Sequence, residues 1–273
     1  MMELNAIAQQ IRPIIYRAGE IGLSYFKNVG FERKKDKSVV TEADRAIEAF
    51  LRKEIIQLYP EHAFFGEETG AYRLGEAEYV WAVDPIDGTE PFVCELPVWC
   101  VSVGLVHKTG PKLGFVYLPV LDELYWAVEG SPAYLNNREI QVCGPAAFDG
   151  SSTIIASSVT YPRYFDVCYP GRALAFGSAA ANICFVARGG KIQGGMLDYI
   201  RLYDIAGAAM VLKAAGGELR YLSGREVDLW AMTDAQKAPE CAAYGHPANV
   251  DQLRAFFIEK LQTNPADCLR NQG

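Results

Sequence analysis

Residues 79 to 89, Tyr-Val-Trp-Ala-Val-Asp-Pro-Ile-Asp-Gly-Thr, form an apolar run that breaks off directly into two carboxylates, a proline, a glycine and a threonine. Tyr79 to Val83 reads as a buried strand, which commits the chain to a sheet inside a core. Pro85 fixes the backbone and Gly88 permits a tight turn. Asp84 and Asp87 can then face the same space, with the exposed carbonyl of Ile86 between them. Hard divalent cations need several oxygen ligands converging on one point, and a strand that stops and turns can supply them from adjacent positions. The plain alternative is a strand-to-helix turn in which Asp87 caps a helix. An EF-hand loop is excluded. Asp84 and Glu95 sit at its positions 1 and 12, but positions 3 and 5 are Ile86 and Gly88, and the required glycine at position 6 is Thr89.

The 273 residues amount to one large domain or two intimate lobes, long enough to bury a substantial core. A net charge of −7 argues against a nucleic-acid binder with a basic surface and suits a protein that recruits cations. The N-terminus lacks the basic flank and apolar stretch of a signal peptide. No run reaches the roughly 18 apolar residues of a membrane span, so a soluble, cytoplasmic protein is expected. Seven scattered cysteines without a C-x-x-C fit a reducing compartment and not a disulfide framework or structural zinc site. A buried apolar role is expected for Cys94. The three histidines, His62, His107 and His246, are far apart. A catalytic metal site therefore has to be carboxylate-rich, and oxygen-only ligation selects Mg²⁺, Mn²⁺ or Ca²⁺.

Apolar residues from Leu4 to Tyr25 recur at helical spacing and predict a long first helix, kinked at Pro13. A strand edge and charged loop follow from Gly30 to Val40. A second helix is predicted from Glu42 to about Tyr59, with Ala43, Ile47, Phe50, Leu51 and Leu58 inward. A short strand is predicted at Ala63 to Phe65, and residues 79 to 143 read as strands separated by turns. From Ser152 strands and helices alternate. Strands are predicted at Ile154 to Ser157, Ala173 to Phe176, Lys191 to Leu197 and Cys241 to Tyr244. Helices are predicted from Gly177-Ser178 to Arg188, from Asp204 to Ala215 and from Pro247 to Leu261. There is no repeat and no linker, so two lobes, 1–145 and 146–273, are expected to share one interface as one compact domain.

Three further acidic segments, Thr41-Glu42-Ala43-Asp44, Gly66-Glu67-Glu68 and Tyr203-Asp204-Ile205-Ala206-Gly207, join the Asp84 turn at the ends of predicted elements. Each has a local explanation: a capping box for Thr41 and Asp44, solvated surface for Glu67-Glu68, an N-cap for Asp204. Together with Gly177-Ser178-Ala179 and the Asp84-Pro85-Ile86-Asp87-Gly88-Thr89 block, they resemble the inositol monophosphatase family of lithium-sensitive, metal-dependent phosphatases, over most of the chain.

The resemblance implies a layered α-β-α-β-α sandwich, mixed α+β and α/β in class, and a homodimer. It implies two to three Mg²⁺ per site, with Mn²⁺ able to substitute and Li⁺ inhibitory. Glu67, Asp84 and the Ile86 carbonyl hold the first ion; Asp84, Asp87 and Asp204 hold the second, and Glu67 helps to place a third. Thr89, hydrogen-bonded to Asp44, orients and helps to deprotonate the attacking water. Physical chemistry adds a phosphate site at the helix start formed by Gly88 and Thr89, with a second N-terminus at Gly177, Ser178 and Ala179.

Two departures from the family pattern stand out. Glu90-Pro91 follows Thr89 in place of the usual basic or Asn-containing stretch. The Glu that inositol-specific members carry seven residues before the last metal Asp is Leu197 here, and Asp198 is the candidate for that role after a register shift. The expected substrate is a small polyol or sugar phosphate of the inositol-1-phosphate kind. Histidinol phosphate, fructose bisphosphate and 3′-phosphoadenosine 5′-phosphate are the alternatives. Arg33, Lys34, Lys35 and Lys37, with Arg163, Arg172 and Arg201, are the basic residues at hand for a second phosphate. A regulatory protein of the transcription machinery is the non-enzymatic alternative, against which the acidic balance counts.

Overall fold

The computed structural model describes residues 2–27, 31–33, 39–156, 165–198, 200–234 and 237–259. Helix α1 (Met2–Tyr25) is followed by the hairpin β1 (Phe31–Arg33) and β2 (Val39–Thr41), then α2 (Glu42–Leu58). Strands β3 (Ala63–Gly66), β4 (Gly70–Tyr72) and β5 (Tyr79–Asp87) lead to a one-turn helix α3 (Thr89–Val93). A meander follows: β6 (Cys100–His107), β7 (Gly110–Leu118), β8 (Glu123–Val128), β9 (Ala133–Leu135) and β10 (Arg138–Ile140). The eight-stranded sheet has the order β10-β9-β8-β7-β6-β5-β3-β4, antiparallel except where β3 runs parallel to β5.

The remaining elements are β11 (Thr153–Ala156), β12 (Phe165–Val167), β13 (Arg172–Leu174), helix α4 (Ala179–Ala187) and β14 (Ile192–Leu197). After them come helix α5 (Leu202–Ala214), β15 (Glu218–Tyr221), a 3₁₀ turn at Ala231–Asp234, β16 (Ala242–Gly245), helix α6 (Pro247–Ala255) and β17 (Phe257–Glu259). Five of these strands make a second sheet, β13-β11-β14-β16-β15, and β12 pairs with β17.

The period of two along β5 explains the layering. Trp81 and Val83 face Ile11, Ile15, Ile47 and Leu51 of α1 and α2. Val80 and Ala82 face a second core with Ile183 and Phe185 of α4 and Ile205 and Met210 of α5. That core continues to Ile155, Leu197 and Tyr244 of the five-stranded sheet. On the outer face of that sheet, Ile154, Met196 and Ala243 pack against Val250 and Leu253 of α6. The order of layers is helices, sheet, helices, sheet, helix, which is the expected sandwich.

Several expectations need correction. Leu58 ends α2 at 43% exposure, not inward. Cys94 is exposed. The strand expected at Ala173 to Phe176 spans Arg172–Leu174. The last helix stops at Ala255, because Phe257–Glu259 pairs antiparallel with β12 instead of extending it. The expected positions Lys34, Lys35, Lys37 and Arg163 lie outside the described residues. Among the described residues, no helix is long and apolar enough to cross a membrane.

Candidate metal centre

The end of β5 is where three elements converge. In the parallel pairing of β3 with β5, Gly66 lies opposite Val83, and the Glu67 N–H donates to the Val83 carbonyl at 3.2 Å. Glu67 thus leaves the sheet beside Asp84. On the other side Asp84 lies opposite Ser102 and Asp87 opposite Cys100, with a register shift between them. The additional residues form a bulge, which bends a strand and re-aims its side chains. Gly88 then takes φ +95° and starts α3, a conformation that favours glycine.

Asp204 comes from α5, which lies directly on the sheet. A Cβ at Gly104 of β6 would fall 2.6 Å from the Ala206 Cβ, and one at Gly207 would fall 2.9 Å from the Val103 carbonyl. Glycine within a strand marks such close backbone approach. The helix begins at Leu202, so Asp204 is its third residue and not its N-cap. Its Oδ2 accepts from the Arg201 N–H at 2.5 Å, which closes the first turn from inside.

The carboxylates share one electrostatic neighbourhood. Asp84 is 2% exposed and its Oδ1 has no hydrogen-bond partner. Burial pushes Asp84 well above the usual carboxylate range, and the charges of Glu67, Asp87, Asp204 and Asp44 push it further. Asp204 is raised to about 8, chiefly by burial and against the pull of the Arg201 N–H, with Asp87 and Glu67 adding to the rise. Asp44 is raised to about 6, again by burial first. Desolvation and like charge both disfavour the ionised form, and a cation among these oxygens would relieve both. A buried, unpartnered carboxylate oxygen within an all-oxygen donor set fits hard divalent ions.

That neighbourhood is looser than a ligand cage. Among the described residues, no three His, Cys, Asp or Glu side chains stand as a ready group around an ion. Asp87 and Asp204 direct oxygens to protein donors instead. The Asp87 Oδ2 accepts from Ser178 Oγ and the Ala180 N–H, both at 2.6 Å, and its Oδ1 accepts from the Ala179 N–H at 3.1 Å. Asp87 is therefore the anion at the N-terminus of α4, whose N-cap is Ser178. Of the residues expected to meet phosphate, Gly177, Ser178 and Ala179, the Ser178 hydroxyl and the Ala179 N–H are thus bonded to this carboxylate. A Cβ at Gly177 would meet Pro91 Cγ at 2.9 Å, so Pro91 packs against the segment that opens α4. It sits in the first turn of α3, where a missing N–H breaks no helical bond. Glu90 is exposed.

The expected bond from Thr89 to Asp44 is also corrected. Thr89 Oγ1 donates to the Ile86 carbonyl at 3.1 Å. Asp44 Oδ2 accepts from the Thr41 N–H at 2.7 Å and from Thr41 Oγ1 at 2.6 Å, completing a capping box at the start of α2. The Asp44 Oδ1 is buried without a partner. The capping box thus occupies one oxygen of Asp44 and not the other. Asp198 stands half-buried just past β14 and is not among the principal charges acting on Asp84, Asp87 or Asp204.

Two residues at the centre escaped sequence reasoning. Cys100, wholly buried, lies 3.7 Å from Asp87 Oδ2. Glu48, also wholly buried, accepts from the Glu68 N–H at 2.8 Å and the Thr69 N–H at 2.6 Å. Its position four residues after Asp44, on the same helix face, was the available signal. A cavity of about 570 Å³ lies elsewhere, past the far end of α5 between Lys108, Lys213, Arg220 and Leu229. The carboxylates, not that cavity, gather the chemistry.

Sequence and structure comparisons agree on the setting. The profile of the inositol monophosphatase family matches residues 3–253. Inositol monophosphatase 3 of Solanum lycopersicum is 36% identical over 231 residues, covering 79% of this chain and 85% of that protein. The fructose-1,6-bisphosphatase/inositol-1-monophosphatase of Aquifex aeolicus is 34% identical over 201 residues, covering 70% of this chain and 75% of that protein. The solved inositol monophosphatase of Thermotoga maritima superposes with a TM-score of 0.78 at 26% identity, covering 92% and 96% of the two chains.

Proposed function

The chain belongs to the inositol monophosphatase family and is a phosphoric monoester hydrolase, and from that premise we propose that it is a Mg²⁺-dependent phosphatase of a small polyol or sugar phosphate. Glu67, Asp84, the Ile86 carbonyl, Asp87 and Asp204 would hold the ions, Mg²⁺ or Mn²⁺. Bound there, such ions acidify a water and offset charge on the entering and leaving oxygens of an in-line displacement. The observation that carries this is the buried, unpartnered Asp84 Oδ1 facing the charges of four other carboxylates.

The chain's own groups handle the water and the ester. Thr89 Oγ1 donates a hydrogen bond to the Ile86 carbonyl, so toward a water it accepts, which orients that water by one of its hydrogens. Asp44, raised to about 6 with Oδ1 unpartnered, is suited to take up a proton near neutral pH. Glu67 holds its place through the backbone bond to Val83. The phosphate lies at the Gly88–Thr89 turn, where α3 begins. Asp198, past β14, is the candidate for contact with the substrate hydroxyls. A cytoplasmic homodimer completes the proposal.

The Aquifex aeolicus relative, named for both activities, makes fructose bisphosphate the second substrate to test. A phosphate-release screen across inositol, fructose, histidinol and nucleotide phosphates, with Mg²⁺ and with a chelator, decides between them. Metal-dependent release from a polyol or sugar ester, inhibited by Li⁺, is expected. No release from any ester with Mg²⁺ or Mn²⁺ would refute the proposal.

A further inference from the structure

Glu48 has no counterpart among the residues that the proposed chemistry needs, yet its carboxylate is fully buried and fully engaged. It lies one turn past Asp44 on α2, so both side chains leave the same face of that helix. Asp44 turns to the helix start, and Glu48 turns to the hairpin joining β3 and β4. In that hairpin Gly66 pairs with Gly70, which leaves the three-residue loop Glu67-Glu68-Thr69.

All three backbone N–H groups of this loop are accounted for. Glu67 donates to the Val83 carbonyl, Glu68 to Glu48 Oε2 and Thr69 to Glu48 Oε1. The loop is thereby fixed from both sides, by β5 and by α2. A Cβ at Gly66 would lie 2.4 Å from Glu48 Oε1. Glycine at that position is what lets the carboxylate reach the loop at all.

We infer that Glu48 is a positioning residue for Glu67: its buried carboxylate clamps the β3–β4 loop and so holds Glu67 beside Asp84. The inference rests on the proposed metal chemistry, in which Glu67 is a ligand. The side chain of a half-buried loop glutamate has rotamer freedom of its own, and fixing the backbone beneath it leaves only those torsions to be ordered on binding. A carboxylate suits the task because it presents two acceptor oxygens to two donors. Glutamine would present one acceptor and an NH₂ group facing an N–H. Groups that orient metal ligands characteristically change metal affinity by about 10–100-fold when removed.

The test is a Mn²⁺ titration followed by the electron paramagnetic resonance of free Mn²⁺, on the full-length wild type, Glu48→Gln, Glu67→Gln and the double variant. Circular dichroism and a cooperative melt establish that each is folded. Glu48→Gln should weaken Mn²⁺ binding about tenfold, with kcat at saturating metal changed far less than the metal midpoint. If Glu48 acts through Glu67, the double variant should bind no worse than Glu67→Gln alone. A purely structural clamp would lower the melting temperature and leave the two substitutions additive in metal affinity. Additivity, or a wild-type midpoint in folded Glu48→Gln, overturns the inference while the phosphatase proposal stands. A wild type that neither binds Mn²⁺ nor releases phosphate overturns both. Amide exchange on the wild type gives a readout independent of any variant: the Glu68 and Thr69 N–H groups should be protected, and exchange at open-loop rates would overturn the clamp.

Discussion

Removing the metal should reverse the usual effect of acid on stability. Asp204 has its carboxyl raised from 3.8 to about 8 in the fold, and Asp84 and Asp87 are raised as well. A folded-state pKa above the unfolded one means that the native protein binds more protons between the two values. The stability linked to Asp204 is therefore complete below about 3.8 and is lost as pH rises through about 8. Each pH unit within that window is worth about 1.4 kcal/mol per group. From pH 8 to pH 6 the gain is then roughly 1–3 kcal/mol, after a discount for the solvent that reaches Asp204. For a chain of this size that is a rise in Tm of about 2–10 °C, and Asp84 adds with the same sign. Divalent ions need the deprotonated carboxylates, so Mg²⁺ should raise Tm more at pH 8 than at pH 6. At a hundredfold excess over its dissociation constant, Mg²⁺ adds about 2.7 kcal/mol. Differential scanning calorimetry of chelator-treated protein, with and without Mg²⁺, measures both effects. A metal-free Tm that is flat or falls between pH 8 and pH 6 would refute the claim that these carboxyls share one desolvated space.

Asp204→Asn should keep the bond to the Arg201 N–H, since the amide oxygen can accept it. It should therefore leave metal-free Tm at pH 8 unchanged or higher while cutting kcat/KM and metal affinity; normal turnover would remove Asp204 from the site. Thr89→Ala should lower kcat strongly with metal affinity nearly intact, and equal rates in a phosphate-release assay would exclude the orienting role. Gly104→Ala drives a methyl group into Ala206, an overpacking that costs about 1–3 kcal/mol and should shift Asp204; unchanged Tm and activity would mean that α5 is not held at that spacing. Ser178→Ala removes one of four donors to Asp87 and should cost about 1 kcal/mol in urea unfolding, and no change would show that Asp87 does not depend on it.

What was legible in the sequence depended on how local the signal was. The runs behind α1, α2 and β5 are long or pure enough to name their elements, and the Asp84-to-Thr89 block announces its turn. The chain end was misread because Phe256, Phe257 and Ile258 extend an apolar pattern that serves a helix or a strand equally, and only pairing with β12 decides. Leu58 was placed inward from periodicity alone, but as the last residue of α2 it stands exposed. That Glu67, Asp84, Asp87 and Asp204 share one neighbourhood was legible from their segments, and the direction of each oxygen was not. Asp87 binding the start of α4 depends on a contact across 91 residues of chain. Glu48 was overlooked because a glutamate in the middle of a helix reads as solvated surface until a loop from another element closes over it.

Asp87 joins two bodies of the fold with one side chain. It leaves β5 of the large sheet, yet three of its four donors belong to the segment that opens α4, above the small sheet. Its Oδ2 is saturated by that segment, while Oδ1 carries a single longer N–H bond. An ion drawing on Oδ1 would tug on the Ala179 amide and leave the Ser178 anchor in place. The seam between the layers is thus pinned through one carboxylate, and replacing Asp87 would loosen the architecture along with the chemistry.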